Sequence, residues 1–170
     1  MSLIINENNL ELKQIEETKV KARALLLDDN NILIAKYNNV ILLPGGKVEE
    51  GEEVEYALIR ELKEEIGCKY KIEELSYLNT IDFFQKKYPK MDGKLLNRLI
   101  KIYYFVGKYK GVKNQSLTEK EINGGFKLEL IPLDKLEELV LNNHSDNPRN
   151  NYFKKELLVI LDYYNKKYLK

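Results

Sequence analysis

The stretch from Leu42 to Cys68, LLPGGKVEEGEEVEYALIRELKEEIGC, constrains this chain more than any other. Pro44 cannot donate to a strand ladder and ends the apolar run before it. Gly45 and Gly46 admit backbone angles closed to other residues, so the loop they form can approach a ligand closely. The pattern then predicts a helix from about Glu52 to Ile66, with Gly67 as its C-cap. At about 100° per residue, Leu58, Leu62 and Ile66 make an apolar stripe that can dock on a core. On the same geometry Glu61, Glu64 and Glu65, at i, i+3 and i+4, fall within one narrow arc. Like charges so spaced destabilise a helix by about 0.2–0.5 kcal/mol per pair. The arrangement makes sense if a cation normally stands between them, and hard carboxylate oxygens suit Mg²⁺ or Mn²⁺. Arg60, four residues before Glu64, can hold that carboxylate. A solvated acidic face is the bland reading of any Glu-rich helix. The glycine pair, Arg60 and the joint spacing together argue against it.

This stretch resembles the Nudix box, the signature of Nudix hydrolases: G-x5-E-x7-R-E-U-x-E-E-x-G-U, with U aliphatic. Here the pattern reads Gly46, Glu52, Arg60-Glu61-Leu62, Glu64-Glu65 and Gly67, with Cys68 in the last aliphatic place. The match covers the whole motif but only 23 of 170 residues. It implies the family's fold, an α/β/α sandwich with a mixed sheet between helices. It also implies hydrolysis of a pyrophosphate bond in a nucleoside diphosphate linked to another moiety. By the same resemblance Glu61, Glu64 and Glu65 bind divalent metal, the Gly45 carbonyl adds a ligand, Arg60 orients the acids, and Glu52 braces loop against helix. A general base is needed as well. Family members take it from the box or from an acid on a later loop, where Glu119 and Glu121 stand in LTEKEINGG; Glu121, nearer the next strand, is preferred.

Composition fits a single soluble domain over residues 1–170, with residues 1–3 set aside as a cloning remnant. Net charge is +1, which supplies no general field for a nucleic acid polymer or an anionic membrane. A nucleotide's phosphates must therefore be met by a local site and by metal. One cysteine makes no internal disulfide and fits a reducing cytoplasm. Neither a membrane-spanning run nor a signal peptide is evident. Many Nudix relatives pair, so the resemblance allows a homodimer.

Alternation and turn signals mark the remaining elements. Residues 4–17 read as an edge strand or an arm. Lys19–Leu27 reads as a strand, with Val20, Ala22 and Ala24 alternating against Lys and Arg. Asp28–Asn31 is a turn and Ile32–Tyr37 a second strand, the pair forming a hairpin. Val40–Leu43 is a short strand. One or two strands follow between Cys68 and Gln85, then a basic loop, Lys86–Leu96, holding Pro89 and Gly93. Leu99–Lys108 is a strand, Lys110–Gly125 a long polar connection, and Phe126–Ile131 a strand. Asp134–Asn142 and Tyr152 to about Lys167 close the chain as helices.

Substrate selection is expected from outside the box. Phe84 and Tyr88 are candidates to stack a base, and Arg98, where a strand begins, to meet a phosphate. Core packing competes with the first role at every aromatic considered, Phe83, Tyr103, Tyr104 and Phe105 included. His144, in an Asn-rich loop, is expected at the surface, and Cys68 as a small buried hydrophobe. The family resemblance puts a nucleoside triphosphate pyrophosphatase of housecleaning type first. A nucleotide-sugar or dinucleoside polyphosphate hydrolase comes next, and a non-catalytic nucleotide-binding module after that.

Overall fold

The computed structural model describes residues 1–169. Its strands are β1 (Leu3–Ile5), β2 (Glu17–Asp28), β3 (Asn31–Tyr37), β4 (Val40–Leu42), β5 (Gly45–Lys47), β6 (Leu75–Pro89), β7 (Leu95–Lys108) and β8 (Lys127–Pro132). Its helices are α1 (Val54–Ile66), α2 (Glu119–Asn123), α3 (Leu136–Leu141) and α4 (Asn150–Tyr168). The strands make one mixed sheet in the order β1-β6-β7-β2-β3-β4.

β2 is the hinge of the architecture. Along one edge it pairs in parallel with β7, from Glu17 opposite Arg98 to Leu27 opposite Lys108. Its other edge is shared. The end near Asp28 turns into the β3 hairpin, whereas Lys21–Arg23 pair with β5, the glycine loop itself. β3 then leaves β2 and takes β4 on one side and β8 on the other. The Gly45–Gly46 loop is thus laid against the centre of the sheet by main-chain hydrogen bonds.

Period-two alternation on β2 separates two cores. Ala22, Ala24 and Leu26 pack with Leu58, Leu62 and Ile66 of α1. Leu25 faces the opposite way, into a cluster with Leu157, Ile160 and Leu161 of α4 and with Leu136 and Val140 of α3. Leu58, Leu62 and Ile66 are 0% exposed, and burying each such side chain stabilises the fold by about 1.5–3 kcal/mol. The result is the α/β/α sandwich with helices on both faces of a mixed sheet.

Several boundaries differ from the sequence reading. α1 starts two residues later, at Val54, after Glu53 in extended conformation. The basic stretch Lys86–Leu96 is mostly strand rather than loop, because β6 and β7 form one long hairpin that continues past a bulge between Gln85 and Tyr88. Lys87 takes φ +50° there, and the turn closes with Lys90 N–H donating to Lys94 O and Gly93 N–H to Lys90 O. The polar connection before β8 contains α2, whose start is a capping box: the Thr118 side chain accepts from Glu121 N, and the Glu121 carboxylate accepts from Thr118 N. The motif T-x-x-E was visible in the sequence as an N-terminal helix signal. The N-terminal arm contributes β1, parallel to β6 at the sheet edge.

Candidate active site

Glycine geometry brings the sheet and α1 together. A Cβ on Gly46 would lie 2.4 Å from the Glu61 carboxyl, so only glycine lets that side chain cross the loop. Next to it, Gly45 N–H donates to Glu65 Oε2 at 2.8 Å. Glu65 is 3% exposed. Burial pushes its carboxyl up to about 8, opposed by the Gly45 hydrogen bond and by Arg23. Glu61 is raised too, again chiefly by burial, with Arg60 pulling it down.

Arg60 gathers the acids. Its Nε and Nη2 grip Glu52 at 2.9 and 3.0 Å, Nη2 also donates to Lys47 O at 3.0 Å, and Nη1 donates to Glu61 Oε1 at 2.8 Å. Glu64 Oε1 is 3.6 Å from the same Nη1. One guanidinium therefore ties the loop before α1 to two acids on the helix, with the bidentate fork on Glu52 fixing its plane. The hydrogen bonds to Glu52 raise the Arg60 guanidinium above its ordinary value, and Arg60 in turn lowers the Glu52 carboxyl.

The end of α1 is held by the segment that leads to α2. A helix leaves its last four carbonyls without intrahelical partners. Here Gly67 N–H donates to Lys63 O, Ser116 N–H to Glu64 O, and Lys113 N–H to Ile66 O. Gln115 Nε2 donates to Glu65 O at 2.6 Å. Gly67 has φ +76°, and a Cβ there would meet Asn114 O at 2.5 Å, so the segment can run this close only past glycine. Glu121 follows five residues after Ser116, and it lines the same cavity as Glu61 and Glu65.

That cavity holds about 300 Å³. Beyond the acids, its walls include Lys21, Lys47 and Lys120, and the aromatic rings of Tyr37, Phe126 and Phe153. Desolvation pushes the Lys21 ammonium down to about 7, with Arg23 adding repulsion and Glu156 opposing both. Its Nζ stands 5.4 Å from the centre of the Phe153 ring. Arg23 is buried behind it, donating from Nη1 to Leu43 O at 2.7 Å. Arg23 Nε lies 3.4 Å from Glu156 Oε1, an ion pair without a hydrogen bond. Acids on one wall, lysines and aromatics on the others: the cavity can take a flat group bearing phosphates, provided a cation screens phosphate from carboxylate.

Among the described residues no three His, Cys, Asp or Glu side chains already converge on one point fit for a metal ion. Each acid instead has its own positive partner, Arg60 for Glu61 and Glu64 and the Gly45 amide for Glu65. The donor set is nonetheless all oxygen and acidic, which fits a hard divalent cation and no soft one.

Three expected contacts lie elsewhere. Arg98, Phe84 and Tyr88 do not line this cavity. Arg98 is buried on β7, donating from Nε to Gln85 Oε1, with its guanidinium 3.3 Å from the centre of the Tyr88 ring. Tyr88 is itself buried and packs on Tyr152. Phe84 is half-buried on β6 opposite Leu99. What the sequence reading missed is Lys21, Lys47, Tyr37 and Phe153. The signal for Lys21 was present: Lys21 and Arg23 share one face of β2, and α4 meets them with Phe153 and Glu156. Phe153, in the first turn of α4, stands at the cavity wall. His144 is exposed and Cys68 is buried with its thiol donating to Gly111 O, both as expected.

A mixed sheet between helices, with a glycine loop paired to its central strand and an Arg-braced acidic helix packed on one face, is the arrangement the box implied. The NUDIX domain family model matches residues 17–155, and the chain belongs to that family. Of curated proteins, an 8-oxo-dGTP diphosphatase from Buchnera aphidicola subsp. Schizaphis graminum is 39% identical over 69 residues, 40% of this chain and 42% of that protein. An ADP-ribose pyrophosphatase from Methanocaldococcus jannaschii is 43% identical over 61 residues, 33% of this chain and 36% of that protein. The chain thus spans less than half the length of either relative. Among solved structures, a MutT protein from Methanosarcina mazei Go1 matches with TM-score 0.60 at 17% identity, covering 94% of this chain and 100% of that one. A MutT NUDIX hydrolase from Burkholderia pseudomallei matches with TM-score 0.54 at 20% identity, covering 82% and 98%. These two likenesses establish the fold.

Proposed function

We propose that this chain, as one domain, hydrolyses a phosphoric anhydride bond in a nucleoside diphosphate joined to a further group, using Mg²⁺ or Mn²⁺. The observation that carries the reading is the meeting of Glu61, Glu65 and Glu121 with lysines and aromatics around one cavity. Glu61, Glu64 and Glu65, with the Gly45 carbonyl, would hold the metal. When bound it neutralises the diphosphate and makes water a better nucleophile. Lys21, Lys47 and Lys120 meet phosphate oxygens, and Phe153 or Phe126 receives the base. Glu121 accepts the proton of the attacking water as the new P–O bond forms. The bridging oxygen leaves with the second fragment, so one product is a nucleoside monophosphate or a shorter phosphate ester. Arg60 keeps Glu61 and Glu64 in place and takes no proton.

A nucleoside triphosphate is the first substrate reading, supported by the name of the Buchnera relative. The second is a substrate with a bulky group on both sides of the anhydride, supported by the name of the archaeal relative and by a larger cleft beside the cavity. The test is a screen of nucleoside triphosphates, oxidised triphosphates, nucleotide sugars, ADP-ribose and dinucleoside polyphosphates with Mg²⁺ or Mn²⁺, reading released phosphate, pyrophosphate and mononucleotide. Turnover that collapses in Glu64→Gln supports the reading. Nucleotide binding without turnover of any compound overturns it in favour of a binding module.

A further inference from the structure

A second cleft, about 900 Å³, opens beside the glutamate cavity. Tyr37 stands in the wall of both. Its ring is locked there: a Cβ on Gly124 would lie 2.1 Å from Tyr37 Cε2, so glycine alone lets the chain after α2 press against the ring. The same chain carries Glu121, and Phe126 N–H donates to Glu121 O at 2.9 Å. The two spaces are therefore neighbours across one side chain.

The cleft is built rather than incidental. Its far wall is the loop between α3 and α4, bound to the β3–β4 turn by side-chain amides. Asn143 Nδ2 donates to Asn39 O at 3.2 Å and Asn147 Nδ2 to Asn38 O at 2.9 Å. Asn143 and Asn150 exchange a reciprocal pair of amide hydrogen bonds, at 3.1 and 3.2 Å. Asn150 is buried, so this wall is fixed from beneath.

Charge in the cleft is mostly one sign. Lys36, Lys127 and Lys154 line it against a single acid, Asp146. Lys36 and Lys127 are directly opposite on antiparallel β3 and β8. Opposed residues share a face, and like charges there are destabilising. Glu129 pairs with Lys36; among the described residues no carboxylate pairs with Lys127. Lys154 donates to Leu141 O and keeps further N–H donors. Asn142 adds an exposed amide, able both to donate and to accept.

We infer that this cleft seats the distal half of a two-ended substrate: a hydroxyl-rich or phosphate-bearing group joined through the anhydride that the glutamate cavity cuts. The glutamate cavity supplies the aromatic rings and the acids. The cleft supplies ammonium and amide groups, which suit sugar hydroxyls and phosphate oxygens. Tyr37 is the ridge the diphosphate crosses. This inference rests on the hydrolytic reading of the glutamate cavity.

The experiment compares kcat/KM for two-ended substrates, nucleotide sugars and dinucleoside polyphosphates, with that for a nucleoside triphosphate. It is run on the parent, on Lys127→Glu and on Asn142→Ala. Loss of a charged contact is worth about tenfold, so Lys127→Glu should lower the two-ended to triphosphate ratio by about tenfold, mainly through KM. A larger loss for the dinucleoside compounds identifies a phosphate-bearing occupant, and a larger loss for the sugars in Asn142→Ala a hydroxyl-rich one. A general structural defect lowers both substrates together and leaves the ratio unchanged; an unchanged ratio in both variants overturns the inference, while turnover itself still upholds the hydrolytic site. If no compound is turned over, calorimetry of ADP-ribose against ADP replaces kinetics. Tighter ADP-ribose binding, lost in Lys127→Glu, supports the cleft although hydrolysis has failed, and equal binding overturns it.

Discussion

Glu65 lets the electrostatics of the site be weighed without any substrate. Its carboxyl is almost wholly out of water, and among the described residues only the Gly45 N–H hydrogen-bonds it directly. Unfolded, the group titrates near 4.5; folded and metal-free, near 8. A folded acid with a raised pKa holds its proton where the unfolded chain has released it. The stability tied to that proton is fully present below about pH 4.5 and is lost as pH climbs through about 8. At about 1.4 kcal/mol per unit, the gap caps the loss at about 5 kcal/mol, and relaxation around the carboxylate brings the expected value to about 2–4 kcal/mol. Glu65→Gln removes the titration while keeping an oxygen to accept from Gly45. Denaturant melts in EDTA at about pH 5 and about pH 8.5 read the difference between parent and variant. That difference cancels other groups, such as Lys21, whose lowered pKa relieves the folded state as pH rises from about 7. The variant should gain on the parent by about 2–4 kcal/mol between the two pH values. Adding Mg²⁺ at the higher pH should restore the parent and leave the variant where it was. If parent and variant track each other across this range, the carboxylate is not a buried, ion-demanding group.

Other expectations follow from single contacts. Gly46→Ala drives a methyl into the Glu61 carboxyl, so kcat should fall by about a hundredfold while circular dichroism stays native; near-parental turnover would show that Glu61 has no fixed position to lose. Leu62→Ala opens the centre of the α1 core, and chemical denaturation should report a loss of about 2–5 kcal/mol. Glu121→Gln preserves a capping box, since Gln serves as well as Glu at that place. It should nevertheless slow turnover by about a hundredfold, whereas full activity would reduce Glu121 to a helix cap.

The box was legible because its residues carry two messages at once. Leu58, Leu62 and Ile66 announce a buried stripe, and Glu61, Glu64 and Glu65 a cost that needs an explanation outside the helix. The β2–β3 hairpin and the closing helices were equally plain from alternation and apolar spacing. Lys86–Leu96 misled because Pro89, Gly93 and a run of lysines read as punctuation, while the long-range pairing of β6 with β7 carries a strand through them. Arg98 and Tyr88 were sought as ligand contacts and instead satisfy each other, one as cation and the other as ring face. Lys21 was hidden by a reversal of the usual rule. A strand face of lysine and arginine reads as wet, and only α4, which sets Glu156 against Arg23 and Phe153 against Lys21, turns it inward.

The segment from Lys113 to Ser116 has a mechanical consequence. It is knotted to the last turn of the acidic helix at successive carbonyls, so the stretch bearing Glu121 cannot drift on its own as an ordinary surface connection would. A tug on that stretch is delivered straight to the backbone of Glu64 and Glu65. Lengthening the chain between Ser116 and Thr118 would cut this tether and uncouple the two halves of the site, with neither half losing a side chain.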